Sequence, residues 1–271
     1  MTSVLVTGGT GALGTELVPM LVTAGLDVRV LSRRAPSAPA GARVVRGDLT
    51  TGEGLDEAIT GIDVIAHLAS GTSGTPSYAK AKRTDIEGTQ RLVNAARRAR
   101  VEPHVVYISI VGIDKIPFGY YRGKLATEQV IERSGLPYTI LRTTQWHTLA
   151  ARFCRQLGSL PLVAVPKGVR LQLLDAGEVA QRMAGLVQGP PSRRVPQMGG
   201  PEALSFADIA RRYFRAVGKR RVVFELPLPG KAARAFAAGY NLAPDHRDGR
   251  ITWDDYLAHI NMKRAARREG T

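Results

Sequence analysis

Three glycines stand at regular spacing near the start of the chain, Gly8-x-x-Gly11-x-x-Gly14, directly after the apolar run Ser3-Val4-Leu5-Val6-Thr7. The spacing gains chemical meaning from its place between a strand signal and a helix marked by Leu13, Leu17 and Leu21. In that setting Gly8 turns the chain out of the strand, Gly11 lets the backbone approach a pyrophosphate, and Gly14 admits close helix packing. The helix start, with Thr10, Ala12 and Leu13 around it, aims free N–H groups and a positive dipole end at phosphates. The chemistry expected is dinucleotide binding.

About twenty residues further on, NAD-binding units place an acid for the adenosine ribose. Here the chain has Ser32, Arg33 and Arg34. A hydroxyl and two guanidiniums suit a 2′-phosphate, which favours NADP(H) over NAD(H). A second polar cluster, Thr143-Thr144-Gln145-Trp146-His147, follows the strand signal Tyr138 to Leu141. Thr143, Thr144 and Gln145 suit contact with a carboxamide, while Trp146 and His147 suit a substrate wall, with His147 as an alternative proton relay. The competing reading places Trp146 in the core of a following helix, with His147 a satisfied neighbour.

The elements that must position these residues alternate. Strand signals at 3–7, 27–31, 43–46, 63–67, 104–108 and 138–141 are separated by helix signals at 12–24, 55–59, 76–100 and 120–134. That rhythm predicts an α/β fold, a Rossmann-like doubly wound parallel sheet with a small C-terminal substrate region. The expected division is 1–145 for the NAD(P)-binding domain and 146–271 for the smaller region on the same core. In the latter, short strands are expected at 162–165, 170–174, 195–198 and 222–225. Capping boxes at Asp175-x-x-Glu178 and Ser205-x-x-Asp208 announce two helices there.

Composition narrows the class. With 38 basic and 23 acidic residues the net charge is +15, which raises the question of nucleic acid. The charge is spread, however, and Arg211, Arg212 and Arg215 fall opposite Ile209, Ala210, Tyr213 and Phe214 on a helical period, as a wet face would. Nucleic acid is therefore disfavoured as a partner. A short low-complexity loop spans 35–41, and a basic run, Lys263, Arg264, Arg267 and Arg268, closes the chain. No apolar run suits a membrane span and no leader is recognisable, so a cytoplasmic location is expected. Cys154 is the single cysteine and the five histidines are scattered, so no metal is expected.

The run Thr7 to Gly14, Gly47-Asp48-Leu49, His67-Leu68-Ala69-Ser70, Ser109 and Tyr120-Tyr121-Arg122-Gly123-Lys124 together resemble the short-chain dehydrogenase/reductase superfamily, and within it the atypical NmrA-like branch. The resemblance implies that Asp48 and Leu49 flank the adenine and that Ala69 and Ser70 line the nicotinamide ribose. It also implies a Ser, Tyr and Lys constellation of Ser109, Tyr120 and Lys124, in which Lys124 holds the ribose and favours the Tyr120 phenolate. Tyr121, three residues before Lys124, competes with Tyr120 and otherwise faces substrate. The reaction expected is hydride transfer to a small, largely apolar carbonyl, enone or quinone. The rivals are a redox-sensing NADP-binding protein without turnover, a sugar-nucleotide epimerase or dehydratase, and a scaffold or assembly factor. The partners expected are a small-molecule substrate and a second copy paired through helices 76–100 and 120–134.

Overall fold

A computed structural model describes residues 1–34, 41–71 and 78–269, the side chains of Lys80 and of the residues beyond Met262 excepted. The low-complexity loop lies almost wholly outside the described residues, as do the first two residues of the predicted helix 76–100 and the side chains of the C-terminal basic run. The chain forms two units, numbered here in chain order, and neither unit is continuous. The first comprises residues 1–114, 118–142 and 176–196, and the second 115–117, 143–175 and 197–271.

The first unit holds a seven-stranded sheet of β1 (Ser3–Thr7), β2 (Asp27–Ser32), β3 (Arg43–Arg46), β4 (Val64–His67), β5 (His104–Ile110), β6 (Tyr138–Thr143) and β9 (Arg193–Arg194). Its order is β3-β2-β1-β4-β5-β6-β9, and β1 pairs in parallel with β2 on one side and β4 on the other. The expected parallel, Rossmann-like sheet is therefore present, and strand order reverses between β1 and β4. Side chains alternate across each strand. Leu5, Leu31, Ile65, Tyr107 and Ile140 enter a core with Leu55, Ile59, Leu92 and Ile131. Those partners come from α2 (Leu55–Ile59), α4 (Glu87–Ala99) and α5 (Gly119–Glu132). Val4, Val6, Val28 and Val30, of opposite parity, are also buried. The remaining helices, α1 (Gly14–Thr23) and α7 (Ala176–Gln188), contact each other, α1 packing on β1 and β2 and α7 on β4 and β5.

Three features depart from the sequence reading. The predicted helix 76–100 is broken into α3 (Tyr78–Ala81), a π-helical turn (Lys82–Ile86) and α4. The segment 176–196, expected with the C-terminal region, folds into the first unit. Its strand lies at Arg193–Arg194, not at 195–198, because Pro196 has no N–H to continue the ladder. A buried ion cluster fastens this edge. Glu128 of α5, fully buried, receives Arg142 Nε at 2.9 Å and Nη2 at 2.7 Å and Arg194 Nη1 at 2.9 Å. Arg194 also reaches Glu132 at 2.6 Å.

The second unit contains α6 (His147–Leu157), β7 (Leu162–Pro166), β8 (Arg170–Gln172), β10 (Ala203–Ser205), α8 (Phe206–Ala216), β11 (Val222–Leu226), α9 (Lys231–Ala237) and α10 (Trp253–Glu269). Its strands form two small sheets, β10 antiparallel to β8 and β11 parallel to β7. Cys154, Val163, Val165, Ile209, Phe214 and Trp253 make its core, where burial pushes the Cys154 thiol up to about 12. The predicted cap on α8 is formed: Asp208 N donates to Ser205 Oγ at 3.0 Å. Beside it Arg211 pairs with Asp208 and Arg212 with Asp254. Among the described residues no helix is long and apolar enough to cross a membrane.

Candidate functional site

In a parallel sheet every strand delivers its following loop to one edge, and the site lies along that edge in the first unit. The loop after β1 turns at Gly8, whose φ of +73° suits glycine. A Cβ on Gly8 would lie 2.8 Å from Ala69 N and 2.9 Å from Ala69 Cα, so this glycine lets the loops after β1 and β4 touch at the strand-order reversal. A Cβ on Gly14 would fall 2.4 Å from Gly9 Cα and 2.5 Å from Gly8 O. Helix α1 thus rests on the loop that precedes it. Gly11 is different: a Cβ there would meet only Gly8 O, at 3.2 Å. Gly11, Thr10 and Ala12 are exposed, whereas Leu13 is buried. Among the described residues no side chain caps the N-terminus of α1. Thr15 N and Glu16 N are taken by Gly11 O and Leu13 O, so the N–H groups aimed at an anion are those of Ala12, Leu13 and Gly14 at the loop's exit into the helix. An open glycine rim before an uncapped helix fits a pyrophosphate.

The loops after β2 and β3 supply the next residues. Ser32 is half-buried and Arg33 and Arg34 are exposed. Gly47 N donates to Ser32 O at 3.0 Å, joining the two loops. Asp48 Oδ1 accepts from both Thr50 N and Thr50 Oγ1 at 2.7 Å. Burial works against the Asp48 carboxylate, but the Thr50 donors and the charges of Arg33 and Arg83 outweigh it and hold its pKa below the usual value. Leu49, expected beside the adenine, is 7% exposed and belongs to the core cluster, where Gly88 of α4 approaches it.

Beneath Ala69 and Ser70 runs a buried polar line. Ala69 N donates to Thr7 Oγ1 at 3.3 Å, and Thr7 Oγ1 lies 2.7 Å from His67 Nδ1. His67 Nε2 lies 2.8 Å from Thr89 Oγ1, which itself donates to the Asp85 carbonyl. Because the Thr89 proton is committed there, Nε2 must donate and Nδ1 accept, a neutral tautomer. Burial, with help from the Lys124 charge, lowers the His67 pKa to about 3. His67 therefore orients its neighbours and carries no charge at neutral pH.

Asp85, on the π-helical turn, is 1% exposed. Its Oδ2 accepts from Ser70 Oγ at 2.8 Å and its Oδ1 from Gly71 N at 2.7 Å. Burial raises its pKa, opposed by Lys124 and by these two donors. The sequence reading missed Asp85. Its signal was a lone acid at an apolar-face position of helix 76–100, in step with Ala81, Leu92 and Ala96, all of them buried. π-Helical turns frequently mark functional sites.

Lys124 is 3% exposed, with Nζ donating to Ile108 O at 2.9 Å and standing 4.3 Å over the Tyr107 ring. Burial lowers its pKa to about 8, while the Asp85 and Glu128 carboxylates hold it up. Gly123 makes this seat available, since a Cβ there would lie 2.5 Å from Ala81 Cβ. Ser109, the residue after the gripped carbonyl, is 1% exposed, and its Oγ has no hydrogen-bond partner among the described residues. Tyr120 is half-buried. Tyr121, its competitor, is 5% exposed and lies edge-on to Phe118 at 5.8 Å and to Tyr120 at 6.1 Å. The structure therefore places the Tyr121 ring in the packing of α5.

Thr143, Gln145, Trp146 and His147 belong to the second unit. Trp146 Nε1 donates to Thr143 Oγ1 at 3.0 Å, and Gln145 Oε1 accepts from Asn241 Nδ2 at 3.3 Å. His147 is fully buried, stacked on Tyr256 at 4.9 Å and Trp253 at 5.7 Å, with Nδ1 3.7 Å from the Asp175 carboxylate. Its ring is enclosed by that unit's own aromatics.

Residues 8–152 match the family described as NAD(P)H-binding. The chain belongs to that family. Among curated proteins it is 28% identical over 256 residues to the photosystem II assembly factor Ycf39 of Cyanophora paradoxa, covering 89% of this chain and 78% of that protein. It is 24% identical over 275 residues to the NAD(P)H azoreductase of Xenophilus azovorans, covering 95% and 90%. Among solved structures, the NADPH-dependent quinone oxidoreductase QOR2 of Escherichia coli, complexed with NADPH, superposes with a TM-score of 0.76 at 18% identity, over 95% of this chain and 99% of that one. This last likeness is one of fold.

Proposed function

We propose that the protein is an NADP(H)-dependent oxidoreductase that reduces a small, largely apolar carbonyl, enone or quinone. The observation that carries this reading is the trio on β5 and α5. A buried ammonium, Lys124, grips the carbonyl of Ile108 beside the unpartnered hydroxyl of Ser109, and Tyr120 precedes Lys124 by one helical turn. In the Gly8 to Gly14 loop the pyrophosphate would take N–H groups of α1, with Arg33 and Arg34 toward a 2′-phosphate and Ser70, fixed by Asp85, toward the nicotinamide ribose. The bound dinucleotide would supply the hydride.

The chain's own groups would manage the oxygen. Ser109 Oγ–H, having no other acceptor among the described residues, orients the carbonyl oxygen, and Tyr120 delivers the proton that this oxygen takes as the carbon is reduced. The positive charge of Lys124 favours the phenolate left on Tyr120 until solvent reprotonates it. A second reading, dinucleotide binding without turnover, draws support from Lys124 Nζ being engaged by Ile108 O and from the assembly factor among the relatives.

Titration by nicotinamide fluorescence, followed by a turnover screen against quinones, enones and ketones, tests both. The expected outcome is tighter binding of NADPH than NADH, with the difference lost in Arg33→Ala/Arg34→Ala. Tyr120→Phe should lower turnover by about a hundredfold or more with binding kept. Full turnover in Tyr120→Phe removes the proton-donor assignment. Binding with no turnover across the panel selects the second reading.

A further inference from the structure

The two-stranded sheet of β7 and β11 has one face in the core of the second unit and the other in solvent. Val163, Val165 and Val223 are at most 9% exposed and belong to the core. Residues of opposite parity, paired in register as Leu162 with Val222 and Ala164 with Phe224, face outward. Leu160 and Leu228 extend the stripe at its two ends. Leu160, Leu162, Val222, Phe224, Leu226 and Leu228 account for six of the eleven large apolar side chains exposed among the described residues. Scattered exposed apolar residues need no explanation, but a contiguous stripe does.

Charge says what covers it. Lys219, Arg220 and Arg221 enter β11, and Lys167, Lys231 and Arg234 lie past the other ends of the strands. None of these six has a carboxylate ion-pair partner among the described residues, and Glu225 is the one acid between 219 and 234. At the exit end a groove of about 180 Å³ is lined by Pro166, Pro227, Leu228 and Ala237 together with Lys167 and Arg234. An apolar stripe flanked at both ends by unpaired cations is the pattern of a surface that lies in the headgroup region of an anionic bilayer. A second copy is the poorer fit, because it would bring the same cations against one another on a chain of net charge +15.

We propose that the β7–β11 face docks this protein on anionic phospholipid membranes. The inference is independent of the proposed reaction. Its test is flotation of the full chain with vesicles of phosphatidylcholine alone or containing about a quarter phosphatidylglycerol, at about 0.1 M salt. The chain should float with the anionic vesicles only and be released as salt rises. Phe224→Asp/Leu226→Asp should lower the partition at least about tenfold, and Lys219→Glu/Arg220→Glu should weaken it and flatten the salt dependence. Leu226→Asp alone, the milder change, should show a smaller loss. Melting temperature and dinucleotide binding, measured on each variant, should stay at the wild-type values. Absence of flotation, equal flotation with both compositions, or flotation unaffected by the aspartates would overturn the proposal. So would a wild-type dimer in sedimentation that Phe224→Asp/Leu226→Asp dissociates, since a second copy would then own the face.

Discussion

Lys124 offers a test in which the sign is set by the structure. Its pKa of about 8 in the fold, against an ordinary 10.5, makes the charged form harder to hold folded than unfolded. At about 1.4 kcal/mol per pKa unit the gap corresponds to a cost of about 3 kcal/mol. Below pH 8 the lysine is charged in both states and the cost is complete. Between 8 and 10.5 the folded chain releases the proton while the unfolded chain keeps it, so this group's contribution rises with pH and the cost has gone above 10.5. Lys124→Met removes the charge at similar volume but forfeits the bond to Ile108 O, worth about 1 kcal/mol. Near neutral pH the variant should then be more stable by about 2 kcal/mol. At about 2 °C per kcal/mol for a chain of this size, it should melt about 4 °C higher. Thermal melts of both proteins at a series of pH values between about 7 and 10.5 should show that advantage shrinking to nothing or reversing. A gap that does not change with pH, or a variant less stable at neutral pH, would refute the reasoning.

The glycine loop predicts a contrast. Gly14→Ala forces a Cβ to within 2.4 Å of Gly9 Cα, which should cost at least about 1–3 kcal/mol in denaturant titration. Gly11→Ala meets only Gly8 O at 3.2 Å, so it should leave the melting temperature nearly unchanged while weakening NADPH binding at least about tenfold in a fluorescence titration. Glu128→Gln leaves Arg142, a buried guanidinium, short of its charge partner, and urea denaturation should register a loss of about 3–5 kcal/mol. Burial opposes the Arg142 charge and Glu128, followed by Asp114, outweighs it in the native protein. With Glu128 neutralised the guanidinium still cannot lose its proton at ordinary pH, so the deficit is not escaped that way.

What could be read in the sequence was local. Strands 3–7 and 43–46 and helix 55–59 fall where their apolar patterns put them, and the glycine loop lies where its spacing put it. The features that escaped depend on long-range packing. Asp85 sits among Lys80, Lys82, Arg83 and Glu87, and in such company an acid reads as part of a wet face. Its burial follows from Ser70 and Gly71, fifteen and fourteen residues earlier, arriving above it. His147 and Tyr121 are polar-tipped rings after a strand and at a helix start, positions that suit a pocket wall. Whether Trp253, Tyr256 or Phe118 covers them is decided far along the chain or by a turn of unpatterned residues. β9 has two arginines and no apolar alternation, and among the described residues it is Glu128 and Glu132 on α5 that give its Arg194 side chain partners.

The broken course of the first unit has a consequence for biosynthesis. A nascent chain that has emerged only as far as Arg142 carries β1 to β6 but neither α7 nor β9. Helix α1 then lacks the helix that packs on it, and β6 presents a bare hydrogen-bonding edge. Fifty-four further residues must leave the ribosome before Pro196 closes that side, and the first thirty-three of them, 143–175, belong to the other unit. The dinucleotide-binding half therefore completes itself late, and through the interval its flank stays uncovered.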